Sequence, residues 1–186
     1  MALITSRVLF VFLQFFLVFL QLQFVVSVTS ETPAQYPSAN DGRGFGRHFQ
    51  WLDLEKGLEV AKTTRKPLML IIHKSWCDSC KALKPKFSAS DEIRTLSTHF
   101  IMVNAGDKED PKEKKYAPDG EYIPRILFLS PDGDVKTEFY NESGNPSYKY
   151  FYSDTWSIIA TMKKVAVSYK RKISKEIKES KEKSEL

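Results

Sequence analysis

The chain of 186 residues has two cysteines, Cys77 and Cys80, and both lie in "HKSWCDSCKALKPKF" with two residues between them. A pair at that spacing can exchange disulfides, supply half of a metal site, or sit as buried thiols or a structural disulfide. Four ligands make a structural zinc site, and beyond the pair there are only His48, His73 and His99, with no second cysteine knuckle. No metal and no cofactor is expected. Structural frameworks in secreted chains use several cysteine pairs, so a single C-x-x-C after a strand points to redox chemistry. If a helix begins at Cys77, its sulfur meets unpaired N–H groups and the positive end of the helix dipole, which favour the thiolate. Cys77 is then the exposed nucleophile. Cys80, one turn further in, is placed to attack the mixed disulfide that Cys77 forms. Lys74, Lys81 and Lys84 support the charge on Cys77, whereas Asp78 opposes it, and Trp76 offers a flat apolar platform beside the pair.

The flanking segments must position these thiols. "WLDLEKGLEVAKTTRK" repeats Trp51, Leu54, Leu58 and Ala61 at helical spacing and stops before Pro67. "PLMLIIH" is a continuous apolar run, as for a strand buried on both faces. A helix is expected from Cys77 to about Ser88, then a short helix in "SDEIRTLS" and a second buried strand in "FIMVN". "IPRILFLS", a turn at "PDGD" and "VKTEFYN" read as a hairpin. A helix from about Asp154 to Lys178 closes the series, with Trp156, Ile159, Met162 and Val165 as its core face.

The two ends carry a different message. After Arg7 no charge occurs until Glu31, which reads as a signal peptide over residues 1–27, with Val25 and Ser27 before the cleavage point. The rival reading is a membrane anchor over residues 8–28, diluted by Gln14, Gln21 and Gln23. Residues 28–46 have linker composition, residues 47–170 form the domain, and residues 171–186 are a charged tail. That tail ends in Lys183, Ser184, Glu185 and Leu186, close to the Lys-Asp-Glu-Leu address read by a retrieval receptor. Together the termini place the chain in the endoplasmic-reticulum lumen. The net charge of +5 is a solvated face, and no nucleic acid is expected as a partner. Asn141 opens an Asn-Glu-Ser glycosylation sequon, and the aromatic run Tyr148, Tyr150, Phe151 and Tyr152 reads equally as client surface or as core.

The strings "GFG", "PLMLIIHKSWCDSCKALKPKF", "YIPRILFL" and "GNPSYKYFY" resemble the anterior-gradient group of thioredoxin-fold proteins, over nearly all of residues 44–165. The resemblance implies an α/β thioredoxin fold, a central mixed sheet flanked by helices with a cis-proline loop. It makes Cys77 the attacking and Cys80 the resolving thiol and Pro124 the cis-proline, with Ile123 and Trp76 beside it as substrate contacts. Pro85 matches the proline that kinks the active-site helix. Two departures stand out: Ile71 replaces the buried carboxylate six residues before the first cysteine, and Asp78 lies between the cysteines. The expected function is a thiol-disulfide oxidoreductase acting on secretory client proteins and glutathione. The alternative is a client-binding, chaperone-like module with little turnover. The sequence leaves the oligomeric state open. Deleting Ser184 to Leu186 should move the protein from the endoplasmic reticulum to the medium, measured by immunoblot of cells and supernatant. Retention of the folded, truncated chain would favour the anchor reading.

Overall fold

The computed structural model describes Ser38 and residues 41–184. The expected signal peptide or anchor, most of the expected linker, and Glu185 and Leu186 lie outside the described residues.

Strand β2 (Leu68–Ile72) is the apolar run after Pro67, and all five of its residues are buried. It pairs in parallel with β3 (Ile101–Ala105), from Leu68↔Ile101 to Ile72↔Ala105. On its other edge it pairs antiparallel with β4 (Arg125–Leu129), from Leu68↔Leu129 to Ile72↔Arg125. A two-residue strand, β1 (Trp51–Leu52), adds in parallel to β3, giving a mixed sheet of order β1-β3-β2-β4. Strand pleating sends alternate residues to opposite faces. Met69, Ile71, Met102, Ile126 and Phe128 share one core with Leu83, Phe87, Ile93, Ile158, Met162 and Val165 from the following helices. The opposite face is covered by α1 (Leu54–Thr64). Gly57 allows its close approach, since a Cβ there would stand 2.4 Å from Val103 Cγ2.

Helix α1 starts later than the sequence periodicity suggests. Asp53 caps it by accepting from Lys56 N–H, so Trp51 belongs to β1 and is fully buried. Helices α2 (Asp78–Ser88) and α3 (Asp91–Ser97) fall where expected. The expected hairpin is cut short after its turn, where Ser130 N–H donates to Asp134 O at 2.8 Å. Only an isolated bridge, Leu129↔Val135, follows the turn, and the outer edge of β4 is satisfied by two irregular segments. Lys136 N–H donates to Phe128 O at 2.8 Å, and Ile126 N–H donates to Tyr150 O at 2.9 Å. This covers the strand edge without a fifth strand. Helix α4 (Thr155–Ser184) is one continuous helix that takes in the charged tail as far as Ser184. Its inner face is Ile158, Met162, Val165 and Tyr169; Trp156, expected inside, is 59% exposed because it lies on the opposite side of the turn.

The expected linker is corrected at its C-terminal end. Phe45 is fully buried and meets the rings of Trp51, Phe87 and His73 edge-on, with centroids 6.4, 5.5 and 5.0 Å away. Gly42, Gly44 and Gly46 all have positive φ, which lets the chain turn tightly enough to seat that ring, and Gly46 O accepts from Trp51 Nε1 at 2.7 Å. The folded body therefore takes in residues 41–46 and does not start at residue 47. Phe45→Ala should cost about 3–5 kcal/mol of stability. Urea unfolding should show a lower midpoint at unchanged slope, and an unchanged midpoint would return this segment to linker.

Candidate functional site

Three loops meet at one end of the sheet because the strand registers bring them there. Ile72 pairs with both Ala105 and Arg125, so the chain leaving β2, the chain leaving β3 and the chain entering β4 are neighbours. Asp107 ties the first two together: its carboxylate accepts from Ser75 N–H at 2.8 Å and its carbonyl from Lys74 Nζ at 2.9 Å. The bond from Ser75 N–H holds the Asp107 carboxyl below the usual carboxylate range.

Cys77 is the N-cap of α2. Its Sγ accepts from Cys80 N–H at 3.2 Å, an unpaired donor of the first helical turn, so negative charge on the sulfur is met by a fixed dipole. On its other side the thiol points to Ile123 O at 3.8 Å. The Ile123–Pro124 bond is cis, as the resemblance implies, and Ile123 is half-buried and Pro124 buried. Cys77 is 8% exposed and Cys80 fully buried, and the two sulfurs are not bonded to each other. Burial first, and the contact with Cys77 second, push the Cys80 thiol up to about 12. The two thiols are thus unequal, one at the mouth and one behind it.

The charges around Cys77 are largely paired. Asp78 is exposed and bridges to Lys81 at 3.1 Å, which blunts the opposition expected of it. Lys74 is committed to Asp110 at 3.2 Å and to the Asp107 carbonyl. Trp76 is 70% exposed beside the pair. Among the aromatic run, Tyr150 and Tyr152 are core, while Tyr148 is 48% exposed and stacks edge-on against Tyr122, next to Ile123.

Asn141 does not fit the role of a displayed glycosylation site. It is only 9% exposed, its Nδ2 donates to Phe151 O at 3.0 Å, and its Oδ1 accepts from Ser143 N–H. The nitrogen that would carry a sugar is spent on the loop. Lys183 and Ser184 end α4, and the rest of the retrieval signal lies outside the described residues. Among those residues no helix is long and apolar enough to cross a membrane, and no group of His, Cys, Asp and Glu is arranged to hold a metal.

Two networks escaped the sequence reading. Arg125, buried at the start of β4, donates to Tyr122 O at 2.6 Å and Tyr116 O at 3.2 Å and faces Asp110 at 3.8 Å, fixing the loop that carries Pro124. A charge directly after a proline and inside an apolar strand was the available signal. The second is His73, 2% exposed, whose Nε2 donates to Asn104 Oδ1 at 2.6 Å, while Asn104 Nδ2 donates to Gly42 O at 2.8 Å. Ile71, in the place of the absent carboxylate, is fully buried and pairs across to Asn104.

A mixed sheet, a C-x-x-C pair capping the helix after its central strand, and a cis-proline facing the first sulfur define a thioredoxin-fold protein. A thioredoxin-like family model matches residues 50–131. The fold is similar to a thioredoxin from Thermus thermophilus, with TM-score 0.50 and 17% identity over 66% of this chain and 90% of that one. The chain is 39% identical over 124 residues to anterior gradient protein 3 of Xenopus tropicalis, covering 66% of this chain and 74% of the relative. It is 33% identical over 149 residues to anterior gradient protein 2-B of Xenopus laevis, covering 79% and 90%. The human anterior gradient protein 2 homolog is 35% identical over 123 residues, covering 66% and 69%. The chain belongs to the anterior gradient family.

Burial moves the His73 pKa below its ordinary 6.5, so the neutral ring is preferred in the folded state. The unfolded chain then binds the extra proton at mildly acid pH. The contribution of His73 to stability is complete above about 6.5 and is lost as pH falls through that value toward the folded one, by at most about 1.4 kcal/mol per pH unit. Unfolding free energies from neutrality to about pH 5 should show this slope in the wild type and a flatter one in His73→Gln. Parallel curves would remove His73 from the account.

Proposed function

We propose that this protein is a thiol-disulfide oxidoreductase of the endoplasmic-reticulum lumen, exchanging disulfides with secretory client proteins and with glutathione. Within its family we place it beside thioredoxin domain-containing protein 12, which it resembles in the strings around the cysteines. The observation that carries the reading is the position of Cys77 Sγ, between the Cys80 N–H and the Ile123 carbonyl, with Cys80 buried directly behind it. The Cys77 thiolate attacks one sulfur of a client disulfide; a Cys77–client disulfide forms and the other client sulfur leaves as a thiolate. Cys80, deprotonated, attacks Cys77 Sγ, the client thiolate departs and takes a proton, and the Cys77–Cys80 disulfide closes. Two electrons pass from the pair to the client. Oxidation of a client is the same sequence reversed.

Trp76, next to Cys77 in the chain, and Tyr148, packed on the Tyr122 ring, supply exposed aromatic surface, and Ile123 and Pro124 form the wall against which a client chain lies. That exposed surface also favours the second reading, a client-binding module. The apolar N-terminal run and the Lys-Ser-Glu-Leu ending support the lumenal address and the retrieval receptor as a partner.

Cys80→Ala should accumulate client adducts as high-mass bands on a non-reducing gel. They should collapse with reductant and be absent in Cys77→Ala and in the double variant. Clients that co-purify equally with all forms and survive thiol alkylation would instead identify a binding module.

A further inference from the structure

Cys80 presents a difficulty that the exchange reaction must solve: its thiol is fully buried and held in the neutral form by that burial. The resolving step needs its thiolate. The residue that faces this problem is Lys84. It lies four residues after Cys80 on α2, on the same helix face, and is half-buried. Its stem is pressed inward against Gly44, where a Cβ would stand 2.9 Å from Lys84 Cδ, and Nζ sits 5.7 Å from the centroid of the Phe45 ring. The buried strap that corrects the linker reading therefore also holds this lysine down.

Lys84 lines a cavity of about 450 Å³ together with Arg43, His73, Ser75, Asp107, Lys108 and Glu109. Of the other charges there, Arg43 bonds Glu109 and Asp107 accepts from Ser75 N–H, while Lys108 lines the same cavity as a second cation. Among the described residues no carboxylate lies within salt-bridge distance of Lys84. Lys74 and Lys81, the other lysines near the pair, are bound to Asp110 and Asp78. Burial and the Cys77 contact dominate at Cys80; the Lys74 backbone and then, more weakly, the Lys84 ammonium favour its thiolate, and the neutral His73 ring adds no competing charge.

We propose that Lys84 is a positioning charge for the resolving step, holding its ammonium where it stabilises the Cys80 thiolate while the Cys77 mixed disulfide awaits attack. The inference rests on the oxidoreductase reading. In the step it serves, Cys80 loses its proton to water and its sulfur attacks Cys77 Sγ. The Cys77–client bond breaks and the client leaves as a thiolate. Lys84 neither gives nor takes a proton.

The test uses reduced protein and a sub-stoichiometric aromatic disulfide, Ellman's reagent. One thionitrobenzoate is released when Cys77 attacks and the other when Cys80 resolves the adduct, so the two steps are read separately in stopped flow. Lys84→Met should leave the first release within twofold and slow the second about tenfold at neutral pH, moving its pH profile about one unit to higher pH. Lys84→Arg should stay near wild type. Lys81→Met, which removes an equal charge from the exposed side of the helix, should not change the second release. Lys84→Gln serves if Lys84→Met is unstable, with the urea midpoint of each variant measured alongside. An unshifted profile in both neutral variants, or an equal effect of Lys81→Met, overturns the role of Lys84. A wild type that never releases the second thionitrobenzoate overturns the oxidoreductase reading itself.

Discussion

The antiparallel pairing of β2 with β4, in the register that sets Ile72 opposite Arg125, is the constraint on which the site depends. It places the exit of one strand beside the entrance of the other. The cysteine segment and the Ile123–Pro124 segment, 46 residues apart, thereby come within the 3.8 Å that separates Cys77 Sγ from Ile123 O. A slip of one residue would turn every side chain of β4 to the other face, expelling Ile126 and Phe128 from the core they share with Met69 and Ile71. The apolar packing that specifies the register thus also specifies the geometry of the thiols.

Around that junction the protein distributes its polar groups unevenly. At the mouth, charges are paired and exposed, as with Asp78 and Lys81. Exposed pairs of this kind contribute little stability and leave the local field weak. Behind the mouth lie groups whose ionisation is costly: the Cys80 thiol, the neutral His73 ring, and Arg125, whose charge is accommodated by the carbonyls of Tyr116 and Tyr122 and by Asp110. Burial makes each of them sensitive to a neighbour, which is the physical condition for one charge to tune another. The fixed N–H of Cys80 requires no such neighbour, because the backbone of α2 already aims it at Cys77 Sγ.

The strap from Asp41 to Phe49 links the core to the site. Phe45 fills the space among Trp51, Phe87 and His73, while Gly42 O receives the Asn104 amide that fixes the His73 ring. Arg43 bonds the Asn104 carbonyl and Glu109, drawing the loop after β3 against the same wall. The anterior gradient chain therefore encloses the inner side of its cysteine helix with a segment N-terminal to the sheet.

Local chemistry made much of this legible in the sequence. The apolar runs of β2 and β3, the helix opening at Cys77, the inequality of the two thiols and the wall at Pro124 follow from short-range patterns, or from the strings that resemble a known family. What the sequence could not carry were decisions made by distant partners. Residues 28–46 read as linker by composition, yet Phe45 is core because the rings that surround it arrive from residues 51, 73 and 87. "VKTEFYN" has strand propensity, yet only Val135 and Lys136 pair with β4, and further along its edge Ile126 N–H is taken by Tyr150 O. Trp156 has the spacing of a core residue but faces water, because the direction from which the sheet meets α4 selects Ile158, Met162, Val165 and Tyr169. Periodicity states that a helix has an apolar side; only packing states which side is covered, and only the assembled fold sets Lys84 against Gly44 and Phe45.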